Sequence, residues 1–288
     1  MNADSVFQIG ASHAVCQDYA LAGNYLPNRS ATKTGTQTKP YLILSDGCSS
    51  SPDTDIGARL LVKAAEQTLL EADRSSVCDP TVIHEEAARR ALLWADLTGL
   101  RPQAVDATLM TAYLNGDNLI IACTGDGVIC LESREGVIDV YSISYASGYP
   151  LYPSYTHQPE RLLALEEGER SGKEVGHFRG ASTEEPLLLR NTSHGDSITE
   201  VFTVRVHDYK YVALFSDGIH SFHCAKQTET SKRVEAIPMD EILRDLISFK
   251  TVRGAFVGRR MRRFLKDCQS KGWQHIDDLA FGALHLGA

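Results

Sequence analysis

The chain carries, at Tyr41–Gly47, the stretch YLILSDG, in which an apolar, strand-like run ends in an aspartate followed by glycine. The same arrangement returns at Asn118–Gly127, NLIIACTGDG, and at Tyr211–Gly218, YVALFSDG. A fourth acidic pair, Asp277-Asp278, opens the last strand-like run, Leu279–Leu286. A carboxylate at a strand tip, next to a residue that accepts any backbone angle, suits a metal or phosphate site. Four such tips in one chain predict a shared rim where the carboxylates converge.

The composition is that of an ordinary globular protein with an acid excess. The 288 residues suffice for one large domain or two modest ones. A net charge of -8 argues against nucleic acid or an anionic membrane as the main partner. We see no secretory signal and no apolar run near the ~20 residues that cross a bilayer. The seven cysteines are scattered without a C-x-x-C pair, so we expect reduced thiols in a cytoplasmic protein.

Two pairs of helices are predicted from the spacing of apolar residues and from capping signals. The first pair is predicted at residues 56–71 and 80–99, and the second pair at residues 239–249 and 256–271. Asp79 is expected to cap the second helix, with Pro80 at its first position. Gly272 is the stop signal of the last helix.

Apolar runs separated by turn residues predict the strands. The main runs lie at residues 6–9, 107–114, 119–123, 128–132, 137–143, 201–206, 210–216 and 279–286. Asn115-Gly116 between two of them is a strong hairpin signal, so we interpret residues 107–143 as a β-meander and residues 201–216 as another hairpin. Antiparallel hairpins with segregated helix pairs predict an α+β layered sandwich.

Residues 145–200 are rich in Gly, Pro, Tyr and Glu and carry only short patterned pieces. A stretch of that length inside a compact domain usually forms a functional flap or an insertion. No internal repeat and no domain linker stands out. We therefore predict one domain over residues 1–288, with a flap or insertion around residues 145–200.

The acidic tips have a chemistry of their own. Magnesium and manganese prefer oxygen ligands, usually a few carboxylates plus several waters. An Asp-Gly step offers a carboxylate and a backbone carbonyl together, and two such ions can activate a water and neutralise a phosphoryl group. The sequence shows no Ser-His-Asp order, no activated cysteine and no P-loop. Metal-assisted hydrolysis of a phosphate ester is the chemistry that these residues support best.

The order of the acidic motifs along the chain is itself informative. The motifs are Cys16-Gln17-Asp18, Ser45-Asp46-Gly47, Gly125-Asp126, Ser216-Asp217-Gly218 and Asp277-Asp278. In this order they resemble the metal-dependent protein phosphatases of type 2C, and the opening Gly10-x-Ser12-His13 resembles a bacterial branch of that family. The motifs span residues 10–284, nearly the whole chain. The resemblance implies a central antiparallel β-sandwich flanked by helix pairs, in four α-β-β-α layers.

The resemblance also implies an activity and its metal ligands. Members hydrolyse phosphoserine and phosphothreonine in proteins, using a water that bridges two magnesium or manganese ions. At the matching positions, Asp46, Asp217 and Asp277 would ligate the ions and act in catalysis through the bridging water. Gly47 would contribute its backbone carbonyl.

Three further positions match supporting roles in the same family. Asp18 would hold a metal-bound water and so take part in catalysis. Asp126 would help to hold a weaker third ion. Asp278 would support the metal ligands without touching the ions.

Some positions depart from the family pattern. An arginine that binds the substrate phosphate commonly precedes the first acidic motif, but this chain has no arginine before Asp18 and carries His13 instead. A protonated His13 would bind phosphate in a pH-dependent manner. The usual glycine-rich run is replaced by residues 48–51, and a usual serine-arginine pair by Gly127-Val128. These departures concern phosphate binding and substrate preference and leave the metal carboxylates in place.

Two other functions compete with the phosphatase. A pseudophosphatase would keep the fold and act as a phosphoprotein-binding regulatory module without turnover. A phosphatase with an aspartyl-phosphate intermediate would need a second aspartate two residues after the nucleophile, but position 48 is Cys48. We expect a monomer that acts on a phosphoprotein and binds neither nucleic acid nor membrane.

A basic run, Arg259-Arg260-x-Arg262-Arg263, lies in the last predicted helix. It is compatible with a docking patch for acidic partners. A solvated helix face is the commoner explanation of such a run.

Overall fold

Two antiparallel sheets, each of six strands in the described part of the chain, face each other. The structure, a computed structural model, describes residues 1–25, 39–75, 79–164, 173–179, 189–191, 198–227 and 232–287. The first sheet contains, in spatial order, β1 (Asn2–Gln8), β15 (Leu279–His285), β11 (Tyr209–Phe215), β6 (Gly127–Ser133), β7 (Ile138–Tyr145) and β8 (Lys173–Arg179). The second contains β2 (Tyr19–Tyr25), β3 (Lys39–Ser45), β4 (Leu109–Asn115), β5 (Asn118–Thr124), β10 (Thr199–Arg205) and β9 (Leu189–Asn191).

Helices cover the outer faces of both sheets. They are α1 (Thr54–Ser75), α2 (Pro80–Leu97), α3 (Pro159–Ala164), α4 (Met239–Ile247) and α5 (Phe256–Lys271). A small third sheet joins β13 (Lys232–Ala236), β12 (Phe222–Gln227) and β14 (Trp273–His275). Within the described ranges, no helix is long and apolar enough to span a bilayer.

Three apolar clusters hold the layers together. Leu42, Ile121 and Leu214 belong to the cluster between the two sheets. A second cluster packs α1 and α2 on the second sheet, and a third packs α4 and α5 on the first. Buried side chains of this size each contribute about 1.5–3 kcal/mol relative to exposure. The predicted α+β fold with four α-β-β-α layers is confirmed.

The capping signals of the helices act as expected. Asp79 caps α2 by accepting a hydrogen bond from the backbone N–H of Thr81 at 2.9 Å, with Pro80 at the first helical position. Gly272 ends α5 in the left-handed conformation at φ 72°. Both predictions are confirmed.

Two strand connections differ from the sequence-based interpretation. The predicted meander breaks after β5, because β5 lies in the second sheet and β6 in the first. The predicted hairpin over 201–216 is also wrong, since β10 pairs with β5 and β9 while β11 pairs with β6 and β15. Facing sheets lie only ~10 Å apart, so a two- or three-residue link can change sheets as easily as it closes a hairpin. Of the predicted insertion, β8 and β9 extend the two sheets.

His84 is a buried polar residue between α2 and the second sheet. Its Nδ1 lies 2.7 Å from Thr124 Oγ1, and its Nε2 lies 2.9 Å from Thr111 Oγ1. Burial lowers the pKa of His84 from 6.5 to about 3, because the site stabilises the neutral ring only. The unfolded chain therefore binds one more proton than the folded chain between these two pH values, and stability falls as the pH drops below about 6.5.

We expect the His84→Gln variant to be less stable than the native protein at pH 7 but to lose less stability on acidification. The slope of the unfolding free energy against pH should differ between the native protein and His84→Gln by up to one proton, about 1.4 kcal/mol per pH unit. Urea unfolding at pH 7, 6, 5.5 and 5 measures it, with the exposed His207→Gln as control. Parallel curves for the native protein and His84→Gln would contradict the assignment.

Candidate active site

One cavity of about 220 Å³ lies at the end of the sandwich where several strands deliver carboxylates. Asp46, Asp126, Asp217 and Asp277 line it. Asp46 follows β3 of the second sheet, Asp217 follows β11 of the first, and Asp126 lies on the link between β5 and β6. The structure thus brings together carboxylates from both sheets at one rim.

The Asp46-Gly47 step is held in place by backbone hydrogen bonds. The N–H of Asp46 donates to Thr108 Oγ1 at 3.0 Å, and the N–H of Thr108 donates to the carbonyl of Asp46 at 2.8 Å. The N–H of Gly47 donates to the carbonyl of Gln17 at 3.2 Å. A Cβ on Gly47 would lie 2.9 Å from that carbonyl and from Thr54 Cβ. Glycine is therefore required for this close approach.

Asp18 is almost completely buried beside the cavity. Its Oδ2 accepts a 2.6 Å hydrogen bond from the Ser216 hydroxyl, which in turn accepts from the N–H of Ala280 at 2.8 Å. Its Oδ1 is buried and has no hydrogen-bond partner among the described residues. Burial raises the pKa of Asp18. Burial also raises the pKa of Asp46 well above the usual range, and the charges of Asp18 and Asp217 raise it further.

Asp126 occupies the link where the chain changes sheets. Gly125 and Gly127 on either side have positive φ angles of 92° and 147°, which favour glycine. Burial raises the pKa of Asp126 to about 7, and the charge of Asp217 adds to the effect. The two glycines thus hold a carboxylate in a buried position that it would avoid without a counterion.

Asp278 points away from the cavity and organises the loop over residues 10–17. It accepts hydrogen bonds from the N–H of Gly10 at 2.7 Å and of Gln17 at 2.6 Å. His13 Nδ1 lies 2.9 Å from Asp278 Oδ2, and its Nε2 lies 3.6 Å from Asp277 Oδ1. The hydrogen bond with Asp278 raises the pKa of His13. The structure therefore places His13 beside the acidic pair and not among the residues that line the cavity.

The first described part of the predicted flap, residues 148–164, closes one side of the cavity. We call it the flap segment. Tyr149 and Tyr152 line the cavity with Cys48. Arg161 of this segment donates two hydrogen bonds of 2.7 Å to the carboxylate of Asp106, which is 2% exposed.

Asp106 also ties the flap segment to the loop that follows Gly47. Its carbonyl accepts from the N–H of Cys48 at 2.8 Å, and its Oδ2 accepts from the Ser51 hydroxyl at 2.8 Å. Sequence reasoning gave no role to Asp106, Arg161, Thr108 or Ser216. Asp106, just before a predicted strand, and Ser216, in the Ser-Asp-Gly motif, carried a usable signal.

The donor set fits divalent cations. Four carboxylates line the cavity, yet among the described residues that line it none is Lys or Arg. The charges of Asp18 and Asp217 raise the pKa of Asp46, so like charges face each other where cations would separate them. Within the described ranges, no group of three His, Cys, Asp or Glu side chains is already arranged to hold a metal ion.

Comparisons with known proteins place this geometry in context. A family model described as protein phosphatase 2C matches residues 9–266. Serine/threonine phosphatase Stp1 from Staphylococcus aureus is 15% identical, with a TM-score of 0.56 over 100% of this chain and 96% of that chain. The S. agalactiae serine/threonine phosphatase is 16% identical, with a TM-score of 0.53 over 99% of both chains. A search of curated proteins finds no match. At these identities the solved structures establish a shared fold.

Proposed function

Because this chain belongs to the protein phosphatase 2C family, we propose that it hydrolyses phosphoserine and phosphothreonine in proteins with the help of two divalent cations, manganese or magnesium. One observation carries the proposal: carboxylates from both sheets line one cavity that no described Lys or Arg side chain lines. A phosphate ester is an anion, and it enters an acidic cavity only when cations neutralise the carboxylates.

In this proposal Asp46, Asp217 and Asp277 hold the two ions, and Gly47 contributes its carbonyl. Two bound cations would supply the charge that activates a water and neutralises a phosphoryl group. Asp126 would help to hold a third, weaker ion. The raised pKa of Asp126 and the raised pKa of Asp46 support a role in cation binding, since neither carboxyl has a cationic partner among the described residues.

The remaining residues position these groups. Asp18 keeps one buried oxygen free of Ser216, and we assign that oxygen to a water that the cations activate. Asp278 fixes the backbone of residues 10–17 and with it the position of Asp18. His13 lies beside Asp277 and Asp278, so in this proposal it holds this pair, and its role in phosphate binding stays a prediction.

The test is hydrolysis of p-nitrophenyl phosphate and of a phosphothreonine peptide with manganese, magnesium or EDTA. We expect turnover only with metal, and a loss of at least about a hundredfold in Asp217→Ala. Asp117→Ala, in an exposed turn, is the matched control and should retain full activity. Turnover that persists in EDTA, or in Asp217→Ala, would contradict the proposal.

A phosphoprotein-binding module without turnover is the second candidate. The lack of an arginine before Asp18 and the replacement of the glycine-rich run at residues 48–51 favour it. Binding of the phosphothreonine peptide without phosphate release, at saturating manganese, would favour this candidate over the enzyme.

A further inference from the structure

A second cavity, of about 220 Å³, lies between the loop after α4 and the first turns of α5. We call it the basic cavity. Its floor is apolar: Phe249 and Phe256 meet edge to face with ring centroids 4.9 Å apart. Its lining includes the basic residues Lys250, Arg259, Arg260 and Arg263.

The chain around the basic cavity is strongly cationic. Between residues 246 and 266 there are seven Lys and Arg residues and no Asp or Glu, in a protein whose net charge is -8. Arg260 is engaged with the carbonyl and the carboxylate of Asp245. Lys250 and Arg259 are exposed, and among the ion pairs of the described ranges neither of them has an acidic partner. Arg263 is also exposed and makes only a long, solvent-exposed ion pair of 4.0 Å with Asp267. Positive charge is therefore available at the rim.

The basic cavity lies at the opposite end of the sandwich from the carboxylates. Asp4 accepts hydrogen bonds from the N–H groups of Val257 at 2.6 Å and Gly258 at 3.2 Å, and Asp4 pairs with Ala283 near the end of β15. Asp277 precedes the start of β15, a strand of seven residues, which corresponds to about 24 Å. Because these N–H groups already donate to Asp4, they are not free to bind an anion at the N-terminus of α5.

We propose that the basic cavity docks an acidic segment of the phosphoprotein substrate, with one aromatic or large aliphatic side chain on the Phe249–Phe256 floor and flanking carboxylates on Lys250, Arg259 and Arg263. The substrate identity rests on the proposed phosphatase function. The pairing of a recessed apolar floor with a cationic rim is complementary to such a segment. A bilayer needs protruding apolar groups, and a nucleic acid needs cations along an extended path. A small concave site provides neither.

The first experiment measures binding without catalysis. Fluorescein-labelled Glu-Glu-Phe-Glu-Glu is titrated with the native protein, with Arg259→Glu/Arg263→Glu and with Arg262→Glu. Arg262 is exposed on the same helix but does not line the cavity, so its variant controls for general charge. We expect saturable binding that weakens at least about tenfold in the double variant, stays within about twofold in Arg262→Glu, and weakens with salt.

Two results would overturn the proposal: no saturable binding to the native protein, or an equal loss in Arg262→Glu. Tighter binding of a twenty-nucleotide oligothymidylate, or of phosphatidylserine vesicles, with the same dependence on Arg259 and Arg263 would also overturn it.

The second experiment links docking to turnover. A phosphothreonine peptide is joined to the acidic pentapeptide by a twenty-residue Gly/Ser linker, long enough to span the sandwich. We expect the double variant to raise KM for the joined peptide about tenfold while kcat, and the turnover of p-nitrophenyl phosphate, stay unchanged. An unchanged KM would overturn the proposal. Inactivity of every variant toward p-nitrophenyl phosphate would instead count against the phosphatase function and leave the binding result standing.

Discussion

Asn at position 46 is expected to abolish phosphatase activity and, at the same time, to stabilise the metal-free protein. Asp46 is half-buried, and its pKa is raised by desolvation and by the charges of Asp18 and Asp217. At pH 7 the folded protein must keep this carboxyl either charged against its neighbours or protonated, and both states cost free energy relative to the unfolded chain. An amide of the same shape removes that cost but is a poorer metal ligand.

We expect Asp46→Asn to lose at least about a hundredfold in turnover and to raise the melting temperature in EDTA by several degrees, corresponding to about 1 kcal/mol or more. Thermal unfolding with EDTA and with manganese measures the second effect. The exposed Asp117→Asn serves as the control and should change neither property. A melting temperature in EDTA that falls in Asp46→Asn would show that the carboxylate stabilises the fold without a cation, contrary to this account.

Arg161→Ala is expected to have the second large effect, because it leaves Asp106 buried without its partner. The guanidinium donates two hydrogen bonds of 2.7 Å to a carboxylate that is 2% exposed. Arg161 itself is 26% exposed, so water can replace part of its contribution. We expect a loss on the order of 2 kcal/mol in the free energy of unfolding, below the 3–5 kcal/mol typical of fully buried pairs.

The same change should also impair the active site. Asp106 connects the flap segment to the loop that follows Gly47, and Tyr149 and Tyr152 of that segment line the acidic cavity. We expect kcat/KM for a phosphopeptide to fall more than that for p-nitrophenyl phosphate, which needs less of the cavity wall. Arg161→Lys should recover only part of the loss, since one ammonium replaces a two-bond contact.

A double variant separates the two effects of Arg161. Asp106→Asn in the Arg161→Ala background removes the unpaired buried charge and should restore much of the stability. It should not restore the phosphopeptide activity, because the flap segment still lacks its contact through Arg161. Full recovery of both properties would indicate that the ion pair has no part in positioning the flap segment. Steady-state kinetics and urea unfolding are compared for the native protein, Arg161→Ala, Arg161→Lys and the double variant Arg161→Ala/Asp106→Asn.

The layers of the fold were predictable because they follow from local patterns. Asp79 and Pro80 predict the start of helix α2, and Gly272 predicts the end of α5. The change of sheet at Asp126 was not predictable, since a short link between two apolar strands has the same composition whether the strands pair or face each other. For the same reason, the change of sheet between β10 and β11 was not predictable.

The site was predictable where a carboxylate stands at the end of a predicted strand. Asp46, Asp126 and Asp217 follow such strands and Asp277 precedes one, and the structure brings the four to one cavity. The partner of Asp106 was not predictable, because Arg161 lies 55 residues further along the chain in a stretch with little pattern. The contact of His13 with Asp278 was not predictable either, because the hydrogen bonds of Asp278 depend on how the loop over residues 10–17 folds.

Calorimetric titration of manganese into the EDTA-treated native protein, beside Asp46→Asn and Asp117→Asn, tests the central claim most directly. The account predicts saturable binding of two ions to the native protein and to Asp117→Asn, and loss of at least one of them in Asp46→Asn. Absence of binding to the native protein, or equal binding to all three proteins, would contradict a metal site built from the cavity carboxylates.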